Sequence, residues 1–285
     1  MERSILMNKA KNRILSTVKY LVIFMLLLIL LFPVFWMIIS SVQPSSKLMN
    51  LPPEFIPSNP TLQNYIKIIS NNKYLRYFEN SFIVSGGTVL LCMCIAVPAG
   101  YAFSRYRFPL KGSIMTFIMS VQMFPIVVIL ISLYTFFMKW DLLSTYRGLI
   151  LTDTAFALPL AINLMKSFFD TLPKSLDESA TIDGASRVRV LWSILLPLTI
   201  PGLLAVGIYT FLNAWDDFLM ALTIMQDMNM KTLTVGLAQS FLGEYAYDYG
   251  ALMAFSLCGS LPVVLIFIFL QKYMISGMTA GAVKG

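Results

Sequence analysis

From Tyr20 to Ser40 the chain reads YLVIFMLLLILLFPVFWMIIS, without one charged residue. An apolar run of about 20 residues is what a helix needs to cross roughly 30 Å of bilayer hydrocarbon, and a water-soluble core requires none. Further apolar stretches cover about 80–103, 113–138, 149–168, 200–225 and 250–273. Charged residues make up 12% of the 285, against about a quarter in a soluble domain. Lipid therefore replaces water over much of the surface, and the pattern predicts an all-α integral membrane protein with six transmembrane helices. A basic start followed by an apolar core could also be a signal peptide. That apolar region is typically about 7–15 residues and ends in small residues. The run here is longer and holds Pro33 and Trp36, so it is taken as the first span.

The expected organisation is an N-terminal segment 1–19, a six-span domain 20–273 containing a charged loop 169–197, and a tail 274–285. The polar stretch 43–78 carries Pro44, Pro52, Pro53, Pro57 and Pro60 and is predicted to be an ordered loop with a short helix at 62–69. Trp140 and Tyr146, in the short loop after the third span, suit an interfacial belt. Six spans put both termini on one side. Fourteen of the 21 Lys and Arg residues fall on that side, among them Lys9, Arg105, Lys174, Arg187 and Lys272. The positive-inside rule then makes both termini and the 169–197 loop cytoplasmic.

The net charge of +7 needs no nucleic-acid partner, because the basic residues lie between spans. Histidine is absent, which removes Ser-His-Asp and Cys-His catalysis and His-containing metal sites. Cys92, Cys94 and Cys258 lie inside apolar runs and read as small buried hydrophobes. No catalytic residue and no metal site is expected.

The charged loop holds the most specific pattern. Ser175 and Glu178 form a capping-box spacing that starts a helix. Asp177 and Glu178 suit the positive end of its dipole. Gly184 can end it in the left-handed conformation, and Ser186 can cap a second helix. That second helix would set Val188, Leu191, Trp192 and Leu195 on one stripe, with Pro197 ending it. The expected result is a helix–turn–helix that exposes the small residues Ser179 and Ala180 beside a carboxylate. An amphipathic connector lying on the membrane surface fits the same residues.

Glu178, Ala180 and Gly184, followed after nine residues by Ile194-x-Leu196-Pro197, resemble the EAA motif of ABC importer permeases; Ser179 stands where alanine is commonest. RYRFP after the second span, IDGAS with Asp183 and Gly184, TLTVGLAQ, and the ending GMTAGAVKG resemble the maltose-type sugar permeases over nearly the whole chain. The GAVKG ending is similar to that of the second of the two permease subunits. The resemblance implies an ABC type I importer permease fold in the cytoplasmic (inner) membrane. It also implies a coupling-helix pair (Glu178, Ser179, Ala180, Asp183, Gly184, Ile194, Leu196 and Pro197) seated in a cleft of a separate ATPase. No G-x-x-x-x-G-K-[ST] phosphate loop is present, so ATP and Mg belong to that partner, and no cofactor is expected on this chain. The implied assembly has a second permease, two ATPase subunits and an extracytoplasmic solute-binding protein, and it imports a sugar, an oligosaccharide first. A non-sugar solute such as a glycerol phosphodiester is the alternative within transport. A membrane-embedded enzyme is the alternative outside it. In the resembled family the loop before the last span reaches the binding protein, here at Gly243, Glu244 and Tyr245. The tail, at Gly281, Lys284 and Gly285, lies between the ATPase subunits.

Polar residues at membrane depth are costly and commonly face a cavity or a partner. Asn213, Trp215, Asp216, Asp217, Gln122 and Asn163 are therefore substrate-path candidates. The resembled permeases carry a Trp-acid pattern at 215–218 whatever they transport, so packing is the competing reading there. For Gln122 and Asn163 it is an interhelical hydrogen bond.

Overall fold

In hydrocarbon, backbone N–H and C=O groups find no water, so a spanning segment must satisfy them internally as helix. The computed structural model describes the backbone of residues 2–241 and 248–282, and side chains over 15–241 and 248–271. Among these residues every regular element is helical. The chain divides into two compact units, Met1–Ser70 with Glu244–Cys258, and Asn71–Gly243 with Gly259–Gly285.

The first unit contains α1 (Glu2–Ser41), α2 (Gln63–Ile69) and the start of α13 (Tyr249–Ala282). Large apolar side chains of α1 from Leu15 to Phe35 are exposed, as a lipid-facing helix requires. At its end Ser41 Oγ pairs with the Tyr65 hydroxyl at 2.7 Å. The buried Asn64 amide donates to Ser41 O (2.8 Å) and Gln43 O (2.9 Å). Asp248 caps α13 by accepting from Ala251 N at 3.1 Å, and it also accepts from Ser45 Oγ and Lys67 Nζ.

The second unit is built on α3 (Asn72–Arg105), α6 (Tyr146–Thr171) and α10 (Ile200–Trp215), which pack on one another. Asn71 caps α3 by accepting from Lys73 N (3.0 Å), and Thr145 caps α6 by accepting from Gly148 N (3.1 Å). Small residues line the α3–α6 seam: Cys92, Ala96, Ala157 and Ala161 are buried there with Met165 and Phe169. A Cβ on Gly100 would lie 2.6 Å from Met165 Cβ and 2.9 Å from Lys166 N, so only glycine lets the helices approach this closely. The remaining elements are α4 (Lys111–Ser120), α5 (Ile126–Lys139), α7 (Ser175–Ile182), α8 (Arg187–Arg189), α9 (Leu196–Leu198), α11 (Leu219–Ile224) and α12 (Leu233–Phe241).

Among the described residues four helices are long and apolar enough to cross a bilayer, and two bent pairs bring the number to six if each pair is one span. The expected continuous third span, 113–138, is instead α4 and α5, joined by a 3-10 turn at Val121–Met123 and bent by 94°. Pro125 lacks the N–H that would carry the helix through and restrains Phe124 to extended backbone. The expected fifth span, 200–225, breaks after Trp215 and resumes as α11. At the two ends of the chain, α1 extends back through 2–19, and α13 runs on through 274–282. Cys94 is exposed, whereas Cys92 is buried and accepts from Thr210 Oγ1 at 3.7 Å.

Candidate functional site

The helix pair between α6 and α10 forms largely as the sequence dictates, with three departures. The chain is already helical at Lys174, so Lys174, not Ser175, is the N-cap, and no side chain caps α7. The capping box is therefore not made. Gly184 closes α7 at φ +79°. Gly184 N bonds Thr181 O (3.1 Å) and Ala185 N bonds Ala180 O (2.9 Å), a Schellman termination with Asp183 as C-cap. Nothing lies within 4 Å of a Cβ placed at Gly184, so its requirement is conformational and not steric. Ser186 then caps the next helix as expected, accepting from Arg189 N at 3.3 Å.

The second departure is at Ala180, which is buried, while Glu178, Ser179 and Asp183 are exposed. The third is the expected apolar stripe. Leu191 and Leu195 are buried, whereas Val188 is 67% and Trp192 54% exposed. The segment Val190–Leu195 is π-helical, between α8 and α9. Its wider turn moves residues off the i, i+3, i+4 register on which a stripe depends. Pro197 lies within α9, and the chain turns at Thr199, where an 83° bend separates 187–198 from α10. Thr199 Oγ1 donates to Leu196 O at 3.0 Å and Leu195 O at 3.2 Å, carbonyls that also accept from Thr199 N. Ile194 and Leu196 are half-buried and Pro197 is exposed. The pair thus offers Glu178, Ser179 and Asp183 beside an exposed apolar set, Ile182 (86%), Val188 and Trp192. Such a surface suits a protein partner better than water.

The membrane-depth candidates separate into two groups. Trp215 is 3% exposed, donates from Nε1 to Gly259 O (3.2 Å), stacks on Phe211 and meets Phe82 edge-on. Asp217 accepts from Ala221 N (2.7 Å) and Met220 N (3.3 Å), capping α11. Both are structural in this arrangement. Asn213, Asp216 and Gln122 are exposed, and Asn163 is half-buried. Gln122 Nε2 donates to Phe156 O at 3.4 Å and Asn213 Nδ2 to Tyr209 O at 3.0 Å. One buried carboxylate was not singled out from the sequence: Asp153 of α6, 7% exposed, with Oδ2 unpaired among the described residues. It sits between Thr152 and Thr154 inside the apolar stretch 149–168.

Residues 93–280 match the model of the family described as binding-protein-dependent transport system inner membrane component. The chain belongs to that family. This permease is 34% identical over 255 residues to the sulfoquinovosyl glycerol transport system permease of Agrobacterium fabrum, covering 90% of this chain and 89% of the relative. It is 36% identical over 262 residues to the trehalose/maltose transport system permease of Thermococcus litoralis, covering 90% and 93%. Its fold superposes on a chain of a bacterial ABC transporter involved in the import of the acidic polysaccharide alginate, with a TM-score of 0.80 and 19% identity over 93% of this chain and 98% of that one. The permease is a translocation subunit of an ABC importer, not an enzyme. Of the further positions expected to meet partners, Gly243, Glu244, Tyr245, Lys284 and Gly285 lie outside the described residues, and Gly281 falls in the backbone of α13.

Proposed function

We propose that this permease imports an oligosaccharide, delivered by an extracytoplasmic binding protein and driven by two ATPase subunits, in a heterodimer with a second permease. The observation that carries the coupling role is the α7 turn: Gly184 at φ +79° holds the exposed Glu178 and Asp183 at a solvent-facing corner. That corner, with Ser179 and the Ile194-x-Leu196-Pro197 segment behind it, is the element that enters the ATPase cleft; Ala180 supports it from inside. Relatives covering about nine-tenths of the chain are named for glycosides, which favours a sugar over a glycerol phosphodiester. Within the substrate path, Asn213, Asp216 and Gln122 are the groups exposed to make hydroxyl contacts, with Asn163 behind them. Trp215 and Asp217 hold the frame. ATP and Mg stay on the ATPase. Gly243, Glu244 and Tyr245 meet the binding protein, and Gly281, Lys284 and Gly285 lie against the ATPase pair.

In proteoliposomes containing the four-subunit complex, a labelled oligosaccharide should accumulate with ATP and binding protein, and a glycerol phosphodiester should not. Glu178→Lys and Gly184→Val should each abolish substrate-stimulated ATP hydrolysis. Wild-type rates in both would remove the coupling assignment. The orientation, with both termini in the cytoplasm, predicts that a cysteine placed at Gly243 reacts with an impermeant thiol reagent in intact cells. A cysteine at Lys284 should react only after membrane disruption, and the reverse pattern would invert the topology.

A further inference from the structure

We propose that Arg105, in the RYRFP segment at the end of α3, is a positioning residue that locks α7 to the α3–α6 seam, so that coupling helix and seam move as one body. The inference rests on the coupling role given above to Glu178. The Arg105 side chain is 6% exposed, and its Nε lies 2.9 Å from Asp177 Oδ2. Its Nη2 donates to Leu172 O at 3.1 Å, in the link between α6 and α7. One guanidinium thus holds both the link and the first turn of α7. Tyr101, one turn earlier on α3, reaches the same carboxylate, its hydroxyl donating to Asp177 Oδ1 at 3.4 Å. The Tyr101 ring also meets Phe169 of α6 edge-on.

Two further contacts reinforce the joint. Ser104 Oγ donates to Asp170 Oδ1 at 2.7 Å, tying α3 to α6 at the same level. Arg187, the first residue of α8, stands over the Tyr106 ring at 4.8 Å. On α7, successive side chains point about 100° apart. Asp177 therefore faces inward with Ala180, three residues on, while Glu178 faces out. The two adjacent acids divide the work: Glu178 meets the partner, and Asp177 passes the displacement to α3. The pair is largely out of solvent, with the Arg105 side chain 6% and the Asp177 side chain 19% exposed, so salt screens it less than a surface pair, and removing one member leaves the other charge poorly compensated. α7 itself is a short helix with one fully buried residue, Ala180, and Leu176 packed half-buried against the same cluster. Without the pair, α7 could tilt in the ATPase cleft and leave the spans where they were.

The test uses the complete importer in proteoliposomes and reads sugar imported per ATP hydrolysed. Arg105→Gln and Asp177→Asn should assemble with the ATPase and keep unstimulated hydrolysis within about twofold of wild type. Import per ATP should fall at least tenfold, equally at low and high salt. Glu178→Lys is assayed in parallel. If Glu178→Lys uncouples and both strut variants remain coupled, the strut is wrong and the coupling role stands. If Glu178→Lys is itself wild type, the reading on which the strut rests is overturned, and the strut with it. Should either single variant fail to assemble, a cross-linkable variant decides. Cysteines replace Arg105 and Asp177, with Cys92, Cys94 and Cys258 replaced by alanine, and a short bifunctional thiol reagent joins the pair. Linking should restore at least half of wild-type import if the two elements move together. Linking that blocks import would mean that they must slide, and would overturn the proposal.

Discussion

In the first unit polar side chains hold the end of α1; in the second, small apolar side chains hold the α3–α6 seam. Asn64, Ser41, Asp248 and Lys67 hold the end of α1 against α2 and the start of α13. Gly100, Ala96, Ala157 and Ala161 hold α3 against α6. The difference follows from the solvent. Lipid tails are as apolar as leucine, so an apolar helix gains little by leaving them for another apolar surface. α1, whose large side chains face outward, is therefore anchored where its chain leaves the apolar stretch and hydrogen bonds become available. The seam is held by close van der Waals contact, which only small residues permit. The α7 joint combines both: Leu191 and Leu195 are buried behind it, and Arg105 pairs with Asp177 across it.

The largest expected effect comes from filling the seam. Gly100→Leu would force α3 and α6 apart, at the upper end of overpacking costs, about 3 kcal/mol. Thermal unfolding in detergent should show a marked drop and low recovery of folded protein. A melting curve like that of wild type would mean that the seam is looser than the 2.6 Å approach implies. Next, Asn64→Ala leaves the carbonyls of Ser41 and Gln43 without their donor. Stranding buried polar groups costs about 2 kcal/mol, and the drop should be smaller than for Gly100→Leu. An equal or larger drop would reverse the ranking of the two regions.

The smallest effect concerns acid. Burial pushes the Asp248 carboxyl up, but hydrogen bonds from Lys67, Ser45 and Ala251 N outweigh it and hold it below the usual carboxylate range. A depressed folded-state pKa contributes stability above the unfolded value, about 3.9, and that stability is lost as pH falls through the folded value. The melting difference between wild type and Asp248→Asn should stay constant from pH 7 to pH 5 and close below about pH 4. A difference already closing between pH 7 and pH 6 would show that the carboxyl is not held down.

The sequence read correctly where the physics is local. The apolar runs marked the spans, because their lengths are set by the bilayer and not by neighbouring helices. The short helix at 63–69, the left-handed Gly184 and the Ser186 cap each depend on a few consecutive residues. Pro125 was visible too, but whether a proline bends a span or is absorbed depends on surroundings. Pro98, Pro159 and Pro262 stay inside continuous helices.

What only the tertiary structure decided is which polar side chains are structural and which are free to act. Trp215 and Asp217 fit both a substrate-path and a packing reading in the sequence; in the structure Phe82, Phe211 and Gly259 surround the first, and the first turn of α11 the second. Asp177 and Glu178 are neighbours with the same carboxylate chemistry, and no local rule separates them. Arg105, which reaches only one of the two, comes from a helix far away in the chain. Burial and charge pairing are set by residues that the fold brings together, so which of two adjacent acids is paired and which is exposed is a property of the packed structure and not of the string.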